Sequence, residues 1–125
     1  MAEIAPEVAR AEPCFRGVNG DVTRRPGVRV LLEDGRTHLE HSRDVYDVIL
    51  SEPTNPWIAG VSDLFTVEYF RACRERLAPG GVLGVWVQAY GLTLEDFRLV
   101  VRTVRSVFPS AAVFEMTPWM DYVVV

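Results

Sequence analysis

An α/β architecture with a largely parallel sheet is predicted by three features of this sequence. Short apolar runs close on turn-forming residues, two segments of helical spacing lie between such runs, and the helices are long enough to serve as crossovers. Parallel neighbours need a crossover, and a helix is the shortest regular one.

The elements follow in chain order. Pro6 to about Phe15 has a helix-compatible composition, and Arg16 through Pro26, with Asn19-Gly20-Asp21, reads as a loop. Val28 to Leu32 is a strand closed by Asp34-Gly35, and Tyr46 to Leu50 is a second, closed by Pro53, Asn55 and Pro56. Continuous apolar runs of this kind imply burial on both faces. From Thr66 to Leu77, Phe70, Cys73 and Leu77 recur at helical spacing, and Pro79-Gly80-Gly81 is read as the stop. Val82 to Val87 is the next strand. Thr93 with Asp96 forms a capping-box pattern ahead of a stripe of Leu94, Phe97, Val101, Val104 and Phe108, ended by Pro109. Ala111 to Met116 and Tyr122 to Val125 read as late strands.

Composition bounds the function. A chain of 125 residues is one domain at most, and 49% hydrophobic residues suffice for a core. With 13 basic and 17 acidic residues the net charge is −4, and the basic residues, all arginine, are dispersed. That distribution argues against nucleic acid, which selects clustered cations. The absence of lysine removes Schiff-base chemistry. No apolar run approaches the roughly 18 residues that cross a bilayer, and the acidic start is unlike a signal peptide, so a cytoplasmic location is expected. Cys14 and Cys73 are far apart without metal-ligand spacing and read as small core residues. His38 and His41 lack a third ligand and read as surface residues, so no metal is expected. Trp57, Trp86 and Trp119 are expected in the core.

In open α/β sheets ligands bind beyond the carboxyl ends of strands. Attention therefore falls on Asp34-Gly35, on Ser51 to Trp57 and on Gln88 to Gly91. The second of these places Glu52 and Asn55 on a proline-stiffened tip, where little entropy is lost when the side chains order around a cation. A solvated, proline-stiffened turn is the equally simple reading of the same spacing.

YDVILSEPTNPW, followed by GVSDLF, a helix ending in LAPGG and a strand, resembles the spermidine synthase family of polyamine aminopropyltransferases, especially its spermidine synthase-like branch. The resemblance runs from Glu3 to about Val125 and is most specific from Asp34 to Gly81. It implies a Rossmann-like fold shared with S-adenosylmethionine-dependent methyltransferases. It further implies transfer of an aminopropyl group from decarboxylated S-adenosylmethionine, as co-substrate rather than tightly bound cofactor, to a diamine such as putrescine. By the same resemblance Glu52 is the base and amine anchor, with Asn55 assisting. Asp34 and Gly35 lie by the adenine, Glu3 holds the ribose, and Ser51 joins the donor-binding set.

The sequence departs from the family pattern at three places. Glu52 and Asn55 stand where the family has aspartates, which lengthens one side chain and removes one negative charge. Glu3 stands two residues from the start, so the first strand and its glycine-rich turn are expected to be missing, and residues 1–125 to form a partial domain. The strand at Tyr46 would then need cover from an upstream half or a second chain, such as a homo-oligomer partner. Members of this branch are often fused to membrane transporter-like segments, so the resemblance leaves a membrane region in the full-length protein open. A methyltransferase with the same donor pocket and a non-catalytic binding module or remnant are the alternatives.

Overall fold

The structure, a computed structural model, describes residues 1–118 and 120–125, so the expectation for Trp119 lies outside the described residues. The chain divides into two units, Met1–Ser42 and Arg43–Val125.

The first unit is built on short helical pieces and one parallel bridge. Proline at the first helical position starts α1 (Pro6–Ala11), a 3₁₀ turn follows over Glu12–Phe15, and α2 spans Arg16–Asn19. The loop expected from Arg16 thus contains a helical turn: Asn19-Gly20-Asp21 ends α2, with Gly20 in the left-handed region at φ 63°, instead of replacing it. Ala2 and Leu31 form the parallel bridge, with Glu3 N–H donating to Leu31 C=O at 2.9 Å and Leu31 N–H to Met1 C=O at 2.8 Å. The strand expected over Val28 to Leu32 is reduced to that single bridge. An apolar run becomes a strand only where a neighbour meets its backbone groups, and the neighbour here is the short Met1–Glu3 segment. Helix α3 (Gly35–His41), absent from the sequence reading, begins at the Asp34 cap and buries Leu39.

The second unit carries a four-stranded sheet. Strands β1 (Tyr46–Ser51), β2 (Leu77–Gln88), β3 (Val113–Thr117) and β4 (Asp121–Val124) lie in the order β1-β2-β4-β3. Only the β1·β2 pairing is parallel, through the crossover helix α4 (Val67–Glu75); β4 runs antiparallel to both β2 and β3. In this sheet the largely parallel expectation therefore holds for β1 and β2 alone; β3 and β4 are separated by three residues in sequence, too few for a crossover.

Helix α4 is capped by Thr66, whose hydroxyl accepts from Tyr69 N–H, and α5 (Leu94–Val107) carries the full Thr93/Asp96 capping box. One sheet face presents Ile49, Ser51, Leu83, Val85, Val87 and Val124, all buried. Tyr69, Phe70 and Cys73 of α4 and Val100, Val104 and Val107 of α5 are the buried residues of these two helices. Of the stripe expected on α5, Val104 is buried, Phe97, Val101 and Phe108 are half-buried and Leu94 is exposed, while Val100 and Val107 are buried beside that stripe. Burial pushes the Cys73 thiol up to about 11, so it stays protonated and inert, whereas Cys14 is exposed, contrary to expectation. The opposite sheet face is open: β1 alternates, with Val48 and Leu50 exposed, and Phe114 and Met116 of β3 are exposed too. Burial of β1 on both faces does not occur, because β1 is an edge strand and the helices of this unit lie over one face.

The residues read as a helix stop, Pro79-Gly80-Gly81, lie inside β2. Tyr46 faces Leu77 and Val48 faces Val82, so the intervening β2 residues bulge out around Gly80, which has φ 79°. A Cβ at Gly81 would lie 3.0 Å from the Ala78 carbonyl oxygen and 3.1 Å from those of Asp47 and Tyr46. All three are backbone atoms, which yield little. Gly81→Ala is therefore expected to destabilise the protein by about 1–3 kcal/mol through overpacking, measured by urea denaturation; an unchanged midpoint would show that the bulge relaxes freely.

Candidate functional site

Three of the expected site residues come together in the first unit. Glu3 follows Ala2, and Asp34 follows Leu31 by three residues, so both lie at the carboxyl end of the parallel bridge. Gly35 is adjacent as well: a Cβ built on it would meet the Ala2 Cβ at 3.8 Å. Glu3 is half-buried, and its Oε1 accepts from Ala5 N–H at 2.7 Å, which fixes the carboxylate locally. Asp34 caps α3, its Oδ2 accepting from Thr37 N–H at 2.8 Å. Chemically this is a pair of acceptors beside a glycine, suited to hydroxyl and amine donors of a polar ligand.

Two carboxylates in the protein are held below the ordinary aspartate range by such caps. For Asp34 the largest cause is the hydrogen bond from Thr37 N–H, and for Asp96 it is the hydrogen bond from the Thr93 hydroxyl. Each folded value lies beneath the reference of 3.8, so the stabilisation each contributes is full above the unfolded value and lost as pH falls through the folded one. Carboxyl ¹³C titration by NMR is expected to give both groups midpoints under 3.8. A midpoint at or above that value for either group would mean its cap is not formed in solution.

The remaining site residues lie at the end of β1 in the second unit. Ser51 is buried, and its Oγ accepts from the Tyr69 hydroxyl at 3.0 Å. The hydroxyl expected among the donor-binding groups is thus tied to α4, where it fixes the end of the strand. Glu52 follows and is exposed; Pro53 behind it is buried, anchoring the turn. Asn55 is half-buried, its carbonyl accepting from Ile58 N–H at 3.0 Å. Its side-chain Oδ1 is shut off from solvent and has no hydrogen-bond partner among the described residues. Such orphaned buried acceptors are rare in native proteins and cost about 1–3 kcal/mol each.

Tyr69 was not among the residues singled out from sequence. Its signal was available, since it stands one turn before Cys73 and three residues after the Thr66 cap, on the face that α4 buries. The two histidines, read as surface residues, sit on α3: His38 Nδ1 is 2.8 Å from Glu33 Oε1, and His41 Nδ1 is 2.9 Å from the Thr37 carbonyl oxygen. Trp57 is about half exposed instead of buried, and meets Tyr90 edge-on with ring centroids 6.3 Å apart. No helix of the described residues is long and apolar enough to cross a membrane.

A family model described as the spermine/spermidine synthase domain matches residues 13–122, nearly the whole chain. The chain belongs to the spermine/spermidine synthase family. A polyamine aminopropyltransferase of Synechococcus sp. (strain JA-2-3B'a(2-13)) is 34% identical over 85 residues, covering 66% of this chain and 27% of that protein. The family member described here thus spans about a quarter of that relative's length. Among solved structures, a spermidine synthase in complex with the transition-state analogue AdoDATO superposes with a TM-score of 0.81 at 22% identity, over 99% of this chain and 44% of that one. Human methyltransferase-like protein 13 in complex with SAH gives 0.75 at 20% identity, over 98% and 57%. These likenesses establish the Rossmann-like fold common to spermidine synthases and methyltransferases, represented here in part.

Proposed function

We propose that residues 1–125 are a partial aminopropyltransferase domain that moves an aminopropyl group from decarboxylated S-adenosylmethionine to an amine. The observation that carries this reading is the tip of β1. Glu52 extends from a strand end pinned by the Ser51–Tyr69 hydrogen bond, and the orphaned Asn55 Oδ1 follows three residues later. An ammonium or amine N–H is the donor that this acceptor lacks.

In this reading Glu52 holds the acceptor amine by a charge-assisted hydrogen bond and takes its proton as the nitrogen attacks the carbon beside the donor's sulfonium. The new C–N bond forms as the C–S bond breaks, the electron pair leaves with sulfur, and methylthioadenosine departs. Glu3, Asp34 and Gly35 are assigned to the nucleoside, with the two carboxylates accepting from ribose hydroxyls and from the adenine amine. Support for an adenosyl ligand comes from the neighbours, whose solved structures hold AdoDATO and SAH.

The SAH-bound neighbour also favours a second reading, a methyltransferase using S-adenosylmethionine itself. Thermal unfolding of the chain with each donor separates the two, because a ligand stabilises by RT ln(1 + [L]/Kd). Greater stabilisation by the decarboxylated donor supports aminopropyl transfer, greater stabilisation by S-adenosylmethionine supports methyl transfer, and no shift with either rejects both.

A further inference from the structure

The second unit contains a trough of about 580 Å³, well within the range of small-ligand sites. It lies between the segment that follows Asn55 and the first turns of α5, lined chiefly by Trp57, Phe65, Leu92, Asp96, Leu99 and Val100. Asp96 is the one ionised side chain among the described lining residues, and none of them is basic. Its Oδ2 takes both hydrogen bonds from Thr93, leaving Oδ1 outside the capping box. Trp57 can lie along the wall because residue 91 is glycine: a Cβ there would come within 3.0 Å of the indole ring. The indole is about half exposed, and an aromatic ring attracts a cation.

We propose that this trough binds a monocationic amine with an apolar body, an alkyl- or arylalkylamine, the ammonium against Asp96 and Trp57 and the body along Phe65, Leu92, Leu99 and Val100. The proposal does not rest on the aminopropyl-transfer reading: an amine whose single nitrogen sits against Asp96 is not the nitrogen that Glu52 would deprotonate. The class follows from charge. Asp96 is the one ionised side chain of the described lining, so it pairs with one ammonium, and a diamine's second ammonium would meet only neutral walls.

The test is a titration of the chain with phenethylamine, without any nucleoside, followed by tryptophan fluorescence and amide NMR shifts. Phenethyl alcohol is the neutral match and putrescine the dication. Saturable binding is expected, about tenfold tighter for phenethylamine than for either comparison compound. Leu99→Arg places a cation on an exposed wall position and is expected to weaken the amine at least about tenfold with an unchanged circular dichroism spectrum. Should that variant unfold, Thr103→Arg, on the same wall, replaces it. No saturation, equal binding of the alcohol or of putrescine, or full binding by a folded arginine variant would overturn the proposal. Donor-induced stabilisation, which tests the aminopropyl-transfer reading, is measured without amine, so the two can fail separately.

Discussion

Under the proposed aminopropyl transfer, Glu52→Gln is expected to lower methylthioadenosine release by about 10²–10⁴-fold, the usual contribution of a positioned general base. The substitution keeps the side chain's length and one acceptor oxygen, while removing both the negative charge proposed to hold the ammonium and the site proposed to receive its proton. Glu52 is exposed, so the fold should not register the change beyond about 0.5 kcal/mol. Loss of turnover without loss of stability is therefore the specific signature. Glu52→Asp makes the complementary comparison, since it restores the family's aspartate and draws the carboxylate back by one methylene, about 1 Å, a displacement able to change a positioned reaction about 100-fold. Turnover by Glu52→Gln within a few-fold of the parent, with product formation intact, would remove Glu52 from catalysis and leave the β1 tip as a structural turn.

What the sequence disclosed about this protein depended on how local each signal is. The Thr93/Asp96 box was readable because both partners lie within four residues and need no tertiary neighbour, and α5 begins at Thr93 as that pattern requires. The Asp34 cap is equally local, yet α3 was missed: Asp34-Gly35 also spells a turn, and nothing nearby decides between turn and helix. Val28 to Leu32 failed for the opposite reason, since its strand character depends on a partner supplied from the other end of the unit, and Met1–Glu3 meets it at one residue. Gly80-Gly81 misled because a glycine pair after a helix serves equally as a stop or as a strand bulge. Only the β1·β2 register, with carbonyls of Tyr46 and Asp47 crowding Gly81, distinguishes them.

The site was legible to the same degree. Glu52 and Asn55 stood out from their position after an apolar run, and the strand does end at Ser51. The Ser51–Tyr69 bond was not legible, because its partners are 18 residues apart and meet only when α4 folds back on the sheet. The Asp96 trough was invisible for the same reason: its walls come from the turn after β1, the start of α4 and one side of α5. Sequence patterns locate chemistry on single elements, while a cavity is a property of several.

Phe70→Ala carries the largest expected cost to stability, about 3–5 kcal/mol, because a fully buried aromatic is removed where little can collapse into the space. Phe70 has no exposed surface and leans on the Tyr69 ring at 5.7 Å, and Cys73, Val85 and Val87 of the same core are equally sealed. Helix α4 packs on both β2 and α5, so a void at Phe70 loosens the layer that holds β1 in register. Domains of this size are stable by only about 5–15 kcal/mol. The substitution should therefore consume a large share of that total and lower the thermal midpoint by roughly 10 °C or more. Phe15→Ala is the control: Phe15 is 56% exposed, and its loss should cost no more than about 0.5 kcal/mol. The two variants remove the same atoms, so the difference between their urea midpoints measures burial alone. Equal midpoints would mean that the α4–sheet core, and with it the fixed tip that presents Glu52, is not formed in solution.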